Sequence, residues 1–317
     1  MQPVTMIDLV GADDLEASLR NHLARREMPD LFLYLGAEGA GQWLDLDESD
    51  SFGVASDLTD LLRASAPAVA SHLPVGVSVV GLGVGGGRKE RILLEALPSN
   101  GPRRYVAADV SPALVEAALG AVADLPVEAI GATARVEDLA RLRPHVRPPV
   151  LVCLLGNTFS NFEPDRLLKR VRAALGPSDF FLFDGHLAPA DEGNEASWRQ
   201  DVERAYASAE NARFNLGPLT ARGVPADACR FVLRLVRVPT RHGPTWRTRK
   251  KIHVLRDADV SFPTGPVRLR AGEVIRMGFT YKHTRRQMVG WVRMAGSKIL
   301  EVFSDAASKN LLVLARP

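Results

Sequence analysis

The segment from Val77 to Asp109 constrains the fold of this chain more than any other. A short run rich in β-branched residues, Val77 to Val80, predicts a strand that is buried on both faces. It leads into a loop, Gly81 to Gly87, in which five of the seven residues are glycine. Apolar residues at helical spacing follow from Arg88 to Leu97, and a second strand ends at Asp109. This order predicts a βαβ unit of a parallel sheet.

The glycine loop is typical of proteins that bind a cofactor containing adenosine. Glycine permits a tight turn and a close approach of the backbone, and the next helix offers free N–H groups. Asp109 stands where an acid can accept hydrogen bonds from both ribose hydroxyls. Gly81-x-Gly83-x-x-Gly86 also fits the dinucleotide pattern, so nicotinamide oxidoreductases and S-adenosylmethionine (SAM) methyltransferases both remain open. A turn with no ligand would need only about two residues.

Composition excludes several other classes. With 317 residues, 46% hydrophobic and 24% charged, the chain is typical of a soluble globular protein with one large domain or two smaller ones. It has no apolar run of ~18 residues and no secretory pattern at residues 1–14, so we expect a cytoplasmic location. Cys153 and Cys229 are expected to be reduced, packed thiols, and no Cys/His group has metal-ligand spacing.

Basic residues are concentrated between Arg237 and Lys251. Clustered Arg and Lys can bind phosphates, so a nucleic-acid surface is one interpretation of this strip. The other is a solvated β-hairpin with its turn at residues 241–244. We favour the hairpin, because nothing else in the chain resembles an RNA-binding module.

The order of predicted elements favours SAM over a nicotinamide cofactor. Predicted strands at 77–82, 104–109, 127–131, 149–155 and 180–184 alternate with helices. The pattern then changes to a helix or helix pair over 195–214, short strands between 229 and 281, a helix at 284–295 and a terminal hairpin at 298–314. Five parallel strands followed by a helix and a hairpin is the order of class I SAM methyltransferases. A nicotinamide domain more often continues with another parallel strand.

Polar residues follow the fourth predicted strand, from Gly156 to Asn161. In an open parallel sheet, the ligand crevice lies outside the carboxyl ends of the strands. Asn157 and Asn161 each offer one acceptor oxygen and two donors, which suits the orientation of an amine or a carboxylate. We expect one of the two only to cap the next helix.

Several blocks together resemble one known family. They are the loop around Gly83, residues 155–161, Tyr206, Phe214-Asn215 and Thr280-Tyr281-Lys282. In order and spacing they resemble the ergothioneine-type histidine Nα-methyltransferases (EgtD-like), a family that includes fungal dimethylallyltryptophan N-methyltransferases. The resemblance begins near residue 31 and reaches the C-terminus.

The resemblance implies an α/β fold with two domains. A class I SAM-methyltransferase, Rossmann-like sheet would be joined by a second α+β substrate domain built from the N-terminus and an insertion. The implied bounds are 1–66 for the N-terminal part of the substrate domain, 67–188 for the SAM-binding domain, 189–281 for the insertion and 282–317 for the C-terminal helix and hairpin.

The resemblance also implies the residues of the site. Asn161 is similar to the asparagine that holds the substrate amine, and Tyr206 to the tyrosine that holds its α-carboxylate, so these two are the expected catalytic residues. Tyr34, Gly278 and Thr280 would complete the substrate pocket. The expected contacts of S-adenosyl-L-methionine, which becomes S-adenosyl-L-homocysteine, are Gly81, Gly83, Gly85, Lys89, Asp109, Gly131, Ala132, Thr133, Gly156 and Asn157. No metal is expected.

The chain departs from the family pattern at several places. Gly278 stands where the family has the glutamate that accepts from the imidazole, so L-histidine is predicted to be a poor substrate. The family segment Tyr-Tyr-Pro-Thr-Arg-Thr-Glu is missing, and residues 47–52 read Asp-Glu-Ser-Asp-Ser-Phe instead. Residues 131–133 replace the Gly-Asp-Phe that contacts adenine, and Gly81 stands where an acid is usual. Altered adenine and ammonium contacts are therefore expected.

These observations predict a SAM-dependent methyltransferase acting on a nitrogen of a small amine or amino-acid-like metabolite, in the biosynthesis of natural products. Transfer would be a direct in-line displacement by a well-placed nitrogen. We expect a monomer or homodimer with no membrane partner. Two alternatives stay open: a SAM-binding interaction protein that has lost catalysis, and a nucleic-acid methyltransferase that uses residues 237–251.

Overall fold

A computed structural model describes residues 5–49, 55–98, 104–190, 193 and 195–317. Within these ranges, no helix combines the length and the apolar character that a membrane span requires. The strands are β1 (Thr5–Asp8), β2 (Glu27–Met28), β3 (Ser78–Leu82), β4 (Arg104–Asp109), β5 (Glu128–Thr133), β6 (Val150–Leu154), β7 (Phe180–His186), β8 (Cys229–Val238), β9 (Thr245–Val254), β10 (Ala258–Val260), β11 (Val267–Leu269), β12 (Val274–Met277), β13 (Tyr281–Lys282), β14 (Lys298–Ser304) and β15 (Asn310–Arg316). The α-helices are α1 (Ala12–Ala24), α2 (Gly36–Ser49), α3 (Ala55–Ser71), α4 (Arg88–Ala96), α5 (Pro112–Ala121), α6 (Leu139–Leu142), α7 (Pro164–Ala174), α8 (Glu195–Tyr206), α9 (Ala209–Thr220) and α10 (Arg285–Met294).

The larger sheet has the strand order β1-β5-β4-β3-β6-β7-β15-β14. The first six strands in this order are parallel to one another. Strand β15 is antiparallel to β7, and β14 is antiparallel to β15. Helices α3, α4 and α5 cover one face, and α6, α7 and α10 cover the other. Coverage of both faces explains why its central strands are continuous apolar runs. The predicted class I SAM-methyltransferase fold is confirmed.

Strand order reverses at β3, which lies between β4 and β6. At such a switch point the loops after neighbouring strands diverge and leave a crevice outside the carboxyl ends. The glycine loop follows β3, Asp109 ends β4, and residues 155–161 follow β6. The fold therefore gathers these three polar segments at one edge of the sheet.

A smaller sheet has the order β13-β9-β12-β2, with β8 paired to β9. Strands β8 and β9 are antiparallel over their full length, which confirms the hairpin predicted for the basic strip. A separate core joins this sheet to α1, α2 and α9. The insertion and part of the N-terminus thus form a second α+β unit beside the larger sheet.

The division of residues 1–66 differs from the expectation. Strand β1 pairs with β5 and extends the larger sheet, and α3 places Leu61 and Leu62 in the core on one face of that sheet. The reason is burial, since the apolar side of α3 covers strands that would otherwise contact water. Among the described residues of this stretch, those from α1 to α2 contribute to the core of the smaller unit.

Candidate active site

The glycine loop has a backbone conformation that requires glycine. Gly83, Gly85 and Gly87 have φ angles of 69°, 53° and 75°, a region that side chains with a Cβ rarely adopt. The Gly83 N–H donates to the Ala108 carbonyl at 2.8 Å. The Gly85 N–H donates to Asp109 Oδ2 at 3.2 Å. The loop is thereby fastened to the end of β4.

Asp109 is the buried carboxylate at the centre of this arrangement, with 6% of its surface exposed. Its Oδ1 also accepts from the Ser111 N–H at 3.1 Å. Burial raises the pKa of Asp109 to about 6, although the backbone donors oppose that shift. Each oxygen keeps acceptor capacity, so the carboxylate can still receive two hydroxyl groups.

A cavity of about 590 Å³ opens at this edge of the sheet. Gly83, Gly85 and Asp109 line it on one side, and Gly156 and Asn161 on another. Its apolar wall includes Val110, Leu114, Phe162 and Phe279. A carboxylate for a ribose, a glycine cradle and an apolar slot for a base fit the adenosine part of SAM.

Four expected cofactor contacts line neither this cavity nor a smaller one that adjoins it: Gly81, Gly131, Ala132 and Thr133. A Cβ on Gly81 would lie 2.5 Å from Val84 Cγ1, and one on Gly131 would lie 2.4 Å from Met6 Sδ. Ala132 and Thr133 are buried within β5. Strand β5 runs to Thr133, two residues beyond the predicted end, so the loop on the cavity wall is 134–137 instead.

Two residues after β6 are held by a second buried carboxylate. Asp184 accepts from the Gly156 N–H at 2.8 Å and from the Asn157 N–H at 2.6 Å, and burial raises its pKa to about 6. Asn157 has φ 64°, and its Oδ1 accepts from the His186 N–H at 3.0 Å. The expected cap is wrong, because the N-cap of α7 is Glu163, and Asn157 instead ties the loop to β7.

Helix α2 covers the glycine loop. Trp43 Nε1 lies 3.0 Å from the position that a Cβ on Gly85 would take. Lys89 Nζ lies 3.5 Å from Asp47 Oδ1, so the lysine expected near the cofactor has an acidic partner. Sequence reasoning missed Trp43 and Asp47, because no local pattern marks them. Residues 50–54, part of the stretch that departs from the family pattern, lie outside the described residues.

A second cavity of about 120 Å³ adjoins the first. It brings together Tyr34, Asn161, Tyr206 and Thr280, which the sequence predicted as an acceptor pocket. Thr280 Oγ1 donates to Asn161 Oδ1 at 2.8 Å. Burial raises the pKa of Tyr206 to about 12 and raises that of Tyr34 as well, so both phenols are neutral near pH 7.

Gly278 has a neighbour that the sequence did not indicate. A Cβ on Gly278 would lie 2.5 Å from Asp30 Cγ, so a carboxylate from another element occupies this space. Asp30 Oδ2 accepts a hydrogen bond from Lys250 Nζ, and both residues line the smaller cavity. Gly278 itself lines the larger cavity and not the smaller one, whereas Asp30 lines both and supplies the acid beside it.

Sequence comparison decides the family. A model of the histidine-specific, SAM-dependent methyltransferase family matches residues 12–317. The chain belongs to this family. The enzyme is a SAM-dependent methyltransferase, and S-adenosyl-L-methionine is its cofactor. No curated protein matches the chain significantly.

Solved structures resemble the methyltransferase at low sequence identity. A SAM-dependent methyltransferase from Clostridium acetobutylicum ATCC 824 is 11% identical with a TM-score of 0.42, over 82% of this chain and 91% of that one. The sugar N-methyltransferase KedS8 from Streptoalloteichus sp ATCC 53650 is 13% identical with a TM-score of 0.39, over 82% and 87%. The N,N-8-amino-8-demethyl-D-riboflavin dimethyltransferase RosA from Streptomyces davawensis is 16% identical with a TM-score of 0.42, over 97% and 70%. The chain covers 55% to 66% of three other similar structures.

One more buried acid lies beneath the glycine loop of the methyltransferase. Glu90, in the first turn of α4, is 1% exposed, and its Oε2 has no hydrogen-bond partner among the described residues. A Cβ on Gly81 would lie 3.1 Å from Glu90 Cγ. An acidic side chain thus approaches the position where the family usually has an acid in the strand. Burial raises the pKa of Glu90 from 4.5 to about 7.

Loss of the Asp109 carboxylate is expected to weaken SAM binding. A charge-assisted pair of hydrogen bonds contributes about 2–3 kcal/mol, so Asp109→Ala should lower the affinity about 30- to 150-fold. Calorimetry with SAM measures this change. Asp60→Ala, which removes an exposed acid of α3, is the control. Unchanged affinity in Asp109→Ala would refute the ribose assignment.

Glu90 should make the stability of the ligand-free protein decrease with rising pH. Its pKa is higher in the folded protein, so the stability it contributes is complete below about pH 4.5 and is lost as the pH rises through about 7. Glu90→Gln removes this loss. The free energy of unfolding of Glu90→Gln minus that of wild type should be larger at about pH 8 than at about pH 5. Urea denaturation at the two pH values measures this difference. The exposed Glu116→Gln should show no such difference, and a parallel pH profile for Glu90→Gln would contradict the prediction.

Proposed function

We propose that this methyltransferase transfers a methyl group from SAM to a nitrogen of a small amine or amino-acid-like metabolite in specialised metabolism. The supporting observation is that the two cavities adjoin and share Asn161 in their walls. The larger one has the features of a nucleoside site, and the smaller one is lined by polar side chains. A nitrogen held at Asn161 would lie at the boundary between them.

Asn161 is proposed to orient the nucleophile. When bound, SAM supplies an electrophilic methyl group together with its leaving group. Asn161 Oδ1 already accepts from Thr280, which fixes the amide, and an amide oxygen has a second lone pair. It can accept an N–H of a neutral amine and leave the nitrogen lone pair directed away from the amide. Holding the nitrogen in this way is the main contribution required of the protein in a direct displacement.

Tyr206 is proposed to hold the carboxylate of an amino-acid-like acceptor. Its phenol stays protonated near pH 7 and can donate a hydrogen bond. The residue is held at its ring and at its backbone. Lys282 Nζ lies 5.7 Å from the ring centroid, and Asn211 Nδ2 donates to the Tyr206 backbone carbonyl at 2.6 Å. A phenol donor in the same cavity as Asn161 would suit an α-amino acid.

The aromatic residues around Tyr34 would shield the reaction from water. The ring centroids of Tyr34, Trp43 and Phe214 lie 5.3 to 5.7 Å apart, and all three residues line the smaller cavity. An apolar wall strengthens the hydrogen bonds to the acceptor, because water does not compete for them.

The ion pairs of the basic strip do not favour a nucleic-acid substrate. Arg237 pairs with Glu195 at 2.9 Å, Arg247 lies 4.0 Å from Glu163, and Lys250 bonds to Asp30. These cations already have partners within the chain, so fewer charges remain for phosphates. The polar acceptor cavity likewise supports catalysis over a role limited to SAM binding.

Tyr206→Phe and Asn161→Ala should lower turnover about 100-fold, because a nucleophile displaced by about 1 Å reacts that much more slowly. SAM affinity should change little, since the ribose is assigned to Asp109 and both groups are assigned to the acceptor. Steady-state rates and calorimetry separate the two effects. Tyr281→Phe, which removes a hydroxyl bonded to Glu163 at 3.0 Å, is the control. Full activity of Tyr206→Phe together with an unfolded Tyr206→Ala would show that Tyr206 only packs.

L-Histidine should be a poor acceptor for this enzyme. The carboxylate beside Gly278 belongs to Asp30 and is already bonded to Lys250. A neighbouring ammonium disfavours a protonated imidazole, and the N–H and the bare nitrogen of a neutral imidazole point in different directions, so the ring cannot pair with Asp30 and Lys250 together. Mass spectrometry of reactions with equimolar amino acids measures the preference. Preferential trimethylation of L-histidine would refute this prediction.

A further inference from the structure

One carboxylate oxygen beside the smaller cavity has no hydrogen-bond partner in the part of the chain that the structure describes. Asp30 Oδ1 is buried and has no hydrogen bond among the described residues, whereas Oδ2 bonds to Lys250. The two side chains are 17% and 9% exposed, and both line the cavity. Buried acceptors are nearly always paired in folded proteins. A ligand that donates to Oδ1 would satisfy this atom.

The Asp30–Lys250 ion pair and Asn161, the proposed amine site, line the same cavity. Strand β2 pairs with β12, with Met28 opposite Met277, and so brings Asp30 beside Gly278. Any side chain at 278 would displace the carboxylate, because a Cβ would lie 2.5 Å from Asp30 Cγ. Thr280, which fixes Asn161, follows two positions later. An acceptor held at Asn161 would therefore direct another part of its structure toward Asp30 and Lys250.

The charges around the cavity favour a neutral group. Asp30 and Lys250 together carry no net charge, and neither do Asp47 and Lys89, the other charged pair in the wall. Tyr34 and Tyr206 are neutral phenols near pH 7. A cationic side chain would meet Lys250, and an anionic one would meet Asp30. Either would be desolvated beside a like charge.

The hydrogen bond between Asp30 and Lys250 also determines which polar group of an acceptor's side chain can pair with them. Oδ1 shares its carboxylate with the oxygen that Lys250 binds, so the remaining acceptor and the remaining ammonium protons lie close together. A primary carboxamide presents an N–H and a C=O in nearly parallel directions, which suits such a pair. The N–H and the bare nitrogen of a neutral imidazole diverge. An apolar side chain leaves both protein groups unpaired.

We propose that the Asp30–Lys250 pair selects the acceptor's side chain, and that it selects a primary carboxamide. The substrate class is then an α-amino acid of the glutamine or asparagine type. This proposal rests on the proposed function in placing the acceptor's α-amine at Asn161. Asp30 and Lys250 determine specificity and take no part in the methyl transfer.

The test measures binding by calorimetry with the protein saturated with S-adenosyl-L-homocysteine. L-Glutamine and L-asparagine are compared with L-methionine, which has a side chain of similar length to glutamine and no amide. L-Glutamine is expected to bind at least about tenfold more tightly than L-methionine, because a site built for hydrogen bonds rejects a ligand that lacks them. L-Lysine, L-glutamate and L-histidine should each bind more weakly than L-glutamine.

The variant Asp30→Leu/Lys250→Met removes both charges together, since a single change would leave one buried charge unpaired. It should lose the preference for L-glutamine over L-methionine. The control Glu16→Leu/Arg222→Met removes an ion pair of 2.5 Å that lines neither cavity, and it should keep the preference. If the first double variant does not fold, the isosteric Asp30→Asn replaces it and should reduce the preference at least about tenfold.

Equal binding of L-glutamine and L-methionine by wild type would overturn the inference, and so would a preference that survives loss of the pair. Tighter binding of L-histidine would also overturn it. Methyl transfer is measured separately by mass spectrometry. Pair-dependent binding of L-glutamine without a methylated product would support the inference and overturn the proposed function.

Discussion

Two buried carboxylates hold the backbone on which the rest of the site depends. Asp109 accepts from the N–H groups of Gly85 and Ser111, and Asp184 accepts from those of Gly156 and Asn157. Charge-assisted bonds to backbone donors are strong, so the loops after β3 and β6 are fixed on both sides of the switch point. Burial strengthens these bonds and also raises the pKa of both carboxyls to about 6.

The smaller cavity, the proposed acceptor site, belongs to neither sheet alone. Asn161 lies in the segment after β6 of the larger sheet, whereas Thr280 and Lys250 belong to the smaller unit. The N-terminal residues join the two, because β2 adds to the smaller sheet and Trp43 of α2 lies against the glycine loop. Closure of the site therefore requires the N-terminal segment and the insertion to pack together on the loops of the parallel sheet.

Two departures from the family pattern have the same structural explanation. Gly81 and Gly278 each stand where the family has an acid, and at each position an acid from another element fills the space. Glu90 comes from the helix after the loop, and Asp30 comes from the N-terminal segment. Both carboxylates have a buried oxygen without a partner among the described residues. An acidic group is thus kept while its origin in the chain changes, which alters the direction from which a ligand meets it.

The sequence by itself determined the parallel sheet, the glycine loop and the position of Asp109, because buried strands, glycine turns and helix starts depend on residues close together in the chain. The resemblance to the family also indicated Asn161, Tyr206 and Thr280 as candidate acceptor residues. Only the tertiary structure decided the other wall of the acceptor cavity. Asp30 and Lys250 are 220 positions apart, no local pattern marks Asp30, and the sequence indicated Lys250 only as one cation of the basic strip. Their importance comes from burial beside each other, and burial is a property of the packed chain, not of its neighbouring residues.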